Sequence, residues 1–233
     1  MNNVIANYYF RSGRGPERYP TREQNLFVSL SKHLYVVKDE SLRSQSKELD
    51  PRTAGTKQLL RRYVLLDVDT GVLYGEYHLA DDEIDVVGFL ARAWHKKAQH
   101  PMRGFPQALN IPKSLDDAVA NEIMELCGGY AVEVGFLEGG FGAGIHAIKQ
   151  FERQVESLIS WRGSQPQLWA IQRLSALISV QASNSMSHTW TKEWEKVAEI
   201  PDEFFRFVDT LYTEHGAWRD EPFDVVLNGL SKD

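Results

Sequence analysis

The stretch Tyr130-Ala131-Val132-Glu133-Val134-Gly135-Phe136-Leu137-Glu138 runs into Gly139, Gly140, Gly142 and Gly144. It continues as Ile145-His146-Ala147-Ile148-Lys149-Gln150-Phe151-Glu152-Arg153-Gln154-Val155-Glu156-Ser157-Leu158-Ile159. A β-branched run, four glycines within six residues and a helical repeat predict a strand, a loop and a helix. At helical spacing Ile145, Ile148, Phe151, Val155, Leu158 and Ile159 fall on one arc, roughly 140° wide, the stripe a helix turns toward its core. Glu152 falls inside that arc, between Ile145 and Ile159. A carboxylate facing a sheet is costly unless it is paired or bound to a cation. The ordinary alternative puts Glu152 at the edge of the stripe with its head in water, since acids are rarely fully buried.

Working outward, Leu26-Phe27-Val28-Ser29-Leu30 and Leu34-Tyr35-Val36-Val37 are short β-prone runs, and the second is taken as the first strand. Residues 39–58 are polar, with Pro51 and Gly55, and read as a long loop with a helical turn. Tyr63 to Asp69 and Val72 to Leu79 flank Thr70-Gly71 and predict a hairpin. Asp81 and Asp82 cap a helix through Lys97, with Val86, Val87, Leu90 and Trp94 inward. Gln107 to Ile111 is a short strand, and Ser114 caps a helix from Leu115 to Cys127 that Gly128-Gly129 end. Past Gly163, Pro166 starts a helix Gln167–Gln181, and helices near Thr191–Glu199 and Asp202–His215 follow. The expected division is a basic N-terminal arm (1–33), an α/β domain (34–163) and a C-terminal helical appendage (164–233).

The 233 residues, 42% hydrophobic and 25% charged, suit a globular fold of one large domain or one domain plus an appendage. No apolar run approaches the ~20 residues that span a bilayer, and no basic-then-apolar leader opens the chain, so no membrane partner is expected. The single cysteine, Cys127, excludes an intrachain disulfide and a cysteine-based metal cluster, and its apolar setting predicts simple burial. From these absences the expected location is cytoplasmic, in the simplest case a bacterial cytosol.

The net charge of −6 is unevenly spread: residues 1–62 hold 12 Lys or Arg against 6 acids, and residues 63–233 hold 14 against 26. Arg11, Arg14, Arg18 and Arg22 stand among glycines, prolines, Tyr8, Tyr9, Phe10 and Tyr19, and spaced arginines suit phosphate contacts. The charge asymmetry fits an arm that binds nucleic acid, one that docks on its own acidic body, or one that docks on a second copy.

The order strand, strand, strand, helix, strand, helix, strand, glycine-rich loop, helix resembles a ribonuclease H-like domain, in which three antiparallel strands lead into βαβα. Over residues 34–160 the sequence is similar to the catalytic core of retroviral integrases and DDE transposases. The likeness rests on Val64 to Gly71 followed by Leu79 to Trp94, on Gly104-Phe105-Pro106-Gln107-Ala108-Leu109, and on Phe151-Glu152-Arg153 behind a glycine-rich loop. The resemblance implies three carboxylates holding two divalent cations. Glu152 matches the third acid. Asp39, at the end of Tyr35-Val36-Val37-Lys38-Asp39, is the nearest offering for the first. The second should end the fourth strand, where this chain has Asn110-Ile111-Pro112-Lys113 and no acid. Asp116 and Asp117 come too late and read as charges at a helix N-terminus.

One matched acid of three cannot hold two metals, so the resemblance implies a pseudo-enzyme: a DNA-associated or protein-assembly factor of a mobile element. DNA would be met through the basic arm, with a protein partner or a second copy as the other class. No cofactor is expected. The alternatives are an active nuclease or transposase using Mg²⁺ or Mn²⁺ with Asp39, Glu152 and a further acid, or a protein-binding module without nucleic acid. Other chemistry finds little support. Asp67 and Asp69 beside Thr70-Gly71 read as turn formers before cation ligands. No histidine pair has metal-ligand spacing, and the 139–144 loop is neither a P-loop nor a dinucleotide fingerprint, although amides at the following helix start could hold an anion. Trp161, Trp169, Trp190, Trp194 and Trp218 read as core or interface.

Overall fold

Strand β1 (Glu23–Val36) is the spine of the structure, 14 residues long, with Leu26 and Phe27 fully buried on opposite faces. Around it the computed structural model, which describes residues 19–137, 142, 144–160, 165–183, 189–201 and 204, adds five strands and six α-helices. In chain order these are β2 (Leu42–Ser44), β3 (Gln58–Asp67), β4 (Leu73–Leu79), α1 (Val86–Trp94), β5 (Ala108–Ile111), α2 (Asp117–Gly128), β6 (Glu133–Phe136), α3 (Ile145–Ser160), α4 (Leu168–Arg173), α5 (Ser175–Ala182) and α6 (Thr189–Glu195). The sheet order is β4-β3-β1-β5-β6, with β2 paired to the far end of β1. Strand β3 runs antiparallel to both of its neighbours, β4 and β1, and β1, β5 and β6 are parallel. The result is a mixed α/β structure compatible with a ribonuclease H-like fold.

Alternation in the strands sets two apolar layers. Leu26, Tyr63, Leu65, Leu109 and Ile111 meet α1 and α2, together with Trp94, Trp194 and Phe204. Phe27, Val64, Leu73 and Tyr77 face the other way, onto Ile148, Phe151 and Val155 of α3 and Ile171, Leu174 and Ile178 behind them. Gly75 is required on that face, since a Cβ there would stand 2.8 Å from the Phe151 ring.

Several expected boundaries move. The first strand begins at Glu23 rather than Leu34, so the division expected at 33/34 falls inside β1. Polar Ser29, Ser31, Lys32 and His33 break the β pattern in the sequence; Ser29 keeps its place opposite Arg62, and the structure absorbs the other three in a bulge. Leu30 pairs with Arg61 and Tyr35 with Leu59, so five steps of β1 face two of β3, and the Ser31 hydroxyl accepts the Leu34 amide at 3.0 Å. Helix α1 starts after Asp85, whose carboxylate takes the Gly88 amide at 2.7 Å, and not at Asp81 or Asp82. Asp116, not Ser114, caps α2, accepting from Ala118 at 2.8 Å. The helix expected over 167–181 divides at Leu174 into α4 and α5. Most of the helix expected at 202–215 lies outside the described residues, as do Trp161 and Trp218.

Candidate functional site

Helix α3 carries Glu152 where its phase puts it, facing the sheet and 7% exposed. Its head does not reach water. Arg62 of β3 donates Nη1 to Glu152 Oε2 at 2.7 Å, and the Ser31 hydroxyl donates to Oε1 at 2.5 Å. Arg62 is itself buried, and its Nε donates to the Ser29 hydroxyl at 2.9 Å. Both charges are therefore paired and hydrogen-bonded, the condition under which ions tolerate burial. The serines that interrupt β1 in the sequence are the partners of this pair.

The carboxyl ends of the parallel strands hold a different cluster. In the register of β1 and β5, Asn25 stands opposite Asn110. Asn110 Nδ2 donates to Asn25 Oδ1 at 2.9 Å and to Glu23 Oε1 at 2.8 Å. Its oxygen lies over Gly135 of β6, where an added Cβ would come within 2.8 Å. Asn25 belongs to the same face as Phe27, because side chains two apart share a face. Six strand steps, the last of them entering the bulge, separate Asn25 from Ser31, about 20 Å at strand rise.

Helix α3 runs along β1 in the same sense. Gly144, just before it, abuts the Phe27 ring, while Glu152 meets Ser31. Eight helical residues rise about 12 Å and four strand residues about 13 Å, so the two spans match. Asn25 lies one further step beyond Phe27, past the helix start. Glu152 and the asparagine pair are thus separate loci.

Asp39 lies in the turn after β1, where its carboxylate accepts the Ser41 amide at 3.0 Å and hydroxyl at 2.6 Å. The Ser41 bonds draw its pKa below the ordinary aspartate value. It serves the turn, whereas the Glu152 carboxylate is held by Arg62 and Ser31; no bond joins the two.

Arg22 donates Nη2 to Asp69 Oδ1 at 2.5 Å, and the Tyr19 amide reaches Asp69 Oδ2 at 3.4 Å. Asp67 is fully buried and accepts the Thr21 amide at 2.8 Å, the Thr70 amide at 2.9 Å and the Thr70 hydroxyl at 2.6 Å. Burial raises the Asp67 pKa despite those bonds. Asp67 and Asp69 therefore close the hairpin turn and hold residues 19–22 against it, with Thr21 at φ 66°. Arg11, Arg14 and Arg18 lie outside the described residues.

Elsewhere Glu76 is buried beneath His78 and Arg92, which hold its carboxyl at about 2 although burial alone would raise it. Arg92 also meets Asp85 at 3.2 Å, and the Tyr74 hydroxyl donates to Glu76 at 2.8 Å. Burial pushes the Cys127 thiol up to about 12, as expected of a packed cysteine. Among the described residues no group of three or more His, Cys, Asp or Glu is disposed to hold a metal ion, and no helix is long and apolar enough to cross a membrane. Sequence reasoning missed Asn25 and Arg62. Alternation through Asn25-Leu26-Phe27-Val28 was the available signal for the first, and nothing local marks the second.

No family model matches the sequence, and no curated protein matches it. Among solved structures, the protein is similar to a chain in the cryo-electron-microscopy structure of the simian T-cell lymphotropic virus intasome in complex with PP2A regulatory subunit B56 gamma, at 12% identity and a TM-score of 0.41. The likeness covers 84% of this chain and spans 64% of the length of that one.

Proposed function

We propose that this chain is an integrase-like protein with a degenerate acidic centre, working without strand transfer as a DNA-associated or assembly factor of a mobile element. The scaffold part of the reading is supported by the sheet. With the short β2 set aside, the strands lie in the order third, second, first, fourth, fifth, antiparallel then parallel, as the ribonuclease H-like resemblance requires. The observation that carries the loss of chemistry is Asn25 beside Asn110. The resemblance calls for carboxylates on the first strand and at the end of the fourth, and here two neutral amides are bonded to each other, with Glu23 the one carboxylate that Asn110 meets. Amides lack the charge that draws two divalent cations together, and the acid on α3 is neutralised by Arg62, which pairs with Ser29 about 13 Å of strand from Asn25. The donor set does not fit a two-cation centre.

DNA contact rests on the excess of Lys and Arg in residues 1–62. The test is titration of Mg²⁺ or Mn²⁺ with a nicked or hairpin DNA, in the wild type and in Glu152→Gln. No cleavage is expected from either. Metal-dependent cleavage abolished by Glu152→Gln would overturn the reading in favour of a nuclease. DNA affinity should fall with salt and drop when Arg11, Arg14, Arg18 and Arg22 become Ala. Affinity unchanged by those substitutions leaves protein assembly as the activity.

A further inference from the structure

The two edges of the sheet differ. At β4 the edge is covered by α5, whose Ser183 and Ser179 hydroxyls accept the Leu73 and Gly75 amides at 3.0 and 2.9 Å. At β6 it is open among the described residues. The one described partner of β6 is β5, in parallel register from Ala108↔Glu133 to Ile111↔Phe136. The Glu133 amide donates to the Gln107 carbonyl and the Leu137 amide to the Ile111 carbonyl, both at 2.9 Å, so the odd-numbered residues turn their backbone groups toward β5. Those of Val134 and Phe136 point outward and bond to no described residue. Phe136 is 46% exposed, Glu133 is exposed, and the strand carries neither lysine nor proline, the residues that commonly protect an edge.

The chain enters the fold close to this edge. The Gln107 amide donates to the Thr21 carbonyl at 2.7 Å, and the Tyr19 hydroxyl donates to Gln107 Oε1 at 3.0 Å, at the end of the sheet where β5 and β6 begin. Residues 1–18 precede Tyr19 and lie outside the described residues. They include Tyr8-Tyr9-Phe10-Arg11, followed by Ser12-Gly13-Arg14-Gly15-Pro16-Glu17-Arg18. From the β3 hairpin, where the Tyr19 amide meets Asp69, to the far side of β6 is four strand spacings, about 19 Å. Eight residue steps from Tyr19 back to Arg11 span up to about 26 Å, so Arg11 can stand at the foot of β6.

We propose that Tyr8–Arg11 of the same chain adds to β6 as an antiparallel strand, with Arg11 opposite Glu133. The direction follows from the connection: the segment must end at the foot of the sheet, where β6 begins, so it runs against β6. In that register Phe10 lies opposite Val134, Tyr9 opposite Gly135 and Tyr8 opposite Phe136. Each of the four stabilises neighbouring strands: opposite charges, an aromatic on a β-branched residue, a ring beside an edge glycine, and an aromatic pair. Phe10 and Tyr8 supply backbone partners to the outward groups of Val134 and Phe136. A slip of one residue in either direction breaks the charge pair.

Charge selects this occupant over the other end of the chain, residues 205–233. Asp116, Asp117 and Glu125 are exposed on α2, which packs on β6, and with Glu133 they make the edge acidic. Residues 1–18 carry three arginines against Glu17, whereas residues 205–233 carry three Lys or Arg against six acids. The acidic edge therefore attracts the first segment and repels the second. The inference goes beyond the nucleic-acid reading and does not rest on it, since Arg14 and Arg18 stay outside the added strand.

The experiment uses the full chain without DNA. R11C/E133C and S12C/E133C are oxidised mildly side by side; Cys127 is buried and takes no part. Arg11 and Glu133 form a non-hydrogen-bonded pair, the closer kind, so the first disulfide should close within the chain about tenfold faster than the second. Amide hydrogen exchange then compares wild type, R11E and R11E/E133R. The Val134 and Phe136 amides should exchange about fivefold faster in R11E and return toward wild type in the charge swap. The Gly135 amide, turned toward β5, should exchange alike in all three. Equal closure of the two cysteine pairs overturns the proposal. So does a disulfide formed only between two molecules, or exchange at Val134 and Phe136 that is the same in all three proteins.

Discussion

Replacing Arg62 by methionine removes the one cation that the described residues place at the Glu152 carboxylate and leaves Ser31 as its remaining described partner. The ion pair is 2.7 Å between nitrogen and oxygen, with side chains 9% and 10% exposed. With charge centres about 4 Å apart and an effective dielectric near 20, the attraction is about 4 kcal/mol. That agrees with the roughly 3–5 kcal/mol lost when one partner of a buried pair is removed. Arg62→Met should therefore destabilise the fold by about 3–5 kcal/mol, and Glu152→Met should cost a similar amount by stranding the guanidinium. The double variant, an apolar pair of similar volume, should return to within about 1–2 kcal/mol of wild type. The coupling energy from the four proteins is then about 4 kcal/mol or more.

Urea unfolding of the four proteins, with m-values checked for constancy, measures that coupling. A second series with millimolar Mg²⁺ separates structural from functional use of the acid. If Glu152 is structural, the ion shifts no midpoint in any of the four. Additive single costs would refute the pairing argument. A Mg²⁺-dependent rise in the wild-type midpoint, absent from both Glu152 variants, would refute the structural role and return the acid to a cation centre.

Three further outcomes are expected. Asn25→Asp with Asn110→Asp sets two carboxylates side by side on neighbouring strands about 5 Å apart, a repulsion of about 3 kcal/mol at the same effective dielectric. The double variant should melt lower than wild type and recover with Mg²⁺ or Mn²⁺, while wild type ignores both; indifference of the variant to metal would show that the locus never suited a cation. Burial, with the Lys97 ammonium nearby, lowers the His100 pKa to about 3, below an ordinary value of 6.5. The unfolded chain thus takes up a proton near 6.5 that the fold refuses, so this stability is complete above about 6.5 and drains as pH falls toward 3. Between pH 8 and pH 5 it amounts to about 2 kcal/mol. His100→Gln, compared with wild type by urea unfolding at both pH values, should lose that difference, and an unchanged slope would reject it. Thr21 is β-branched at φ 66°, so Thr21→Gly should relieve about 1–2 kcal/mol of backbone strain against about 0.5–1 from added unfolded-state freedom. A net gain near 0.5–1 kcal/mol in unfolding free energy is expected, and a loss would mean that the bend is not strained.

Where a segment's neighbours in sequence settle its partners, the sequence was readable. The hairpin at Thr70-Gly71, the α3 stripe from Ile148 onward and the inward phase of Glu152 all emerge from period and turn chemistry alone, whereas Ile145, expected on that stripe, is 43% exposed. The central strand did not. Its interruptions at Ser29 and Ser31 suggest a loop until Arg62, about thirty residues later, and Glu152, on another element, supply the reason for two hydroxyls on a buried face. Asn25 was hidden by the same misplacement, since a first strand begun at Leu34 directs attention to Asp39. The capping of the β4 edge was equally illegible: serine at four-residue spacing acquires meaning only beside a strand whose outward amides recur at nearly the same distance.

The phase of a residue on a helix fixes the direction it faces but not its place along the strand beneath. Glu152 faces the sheet, as an acid serving a cation centre must. Yet α3 begins over Phe27 and advances with β1, so every later residue of the helix moves farther from Asn25 and Asn110. An acid able to join those two would have to precede the helix, and within α3 even the residue nearest that end is Ile145. The two amides and the Arg62 pair are therefore not one eroded centre with a surviving member. They are two solutions to separate problems: polar side chains at the end of a parallel strand pair, and a carboxylate buried against the antiparallel half. The proposed loss of chemistry rests on the first alone, and that proposal would stand unchanged if Glu152 were any residue that fills its space.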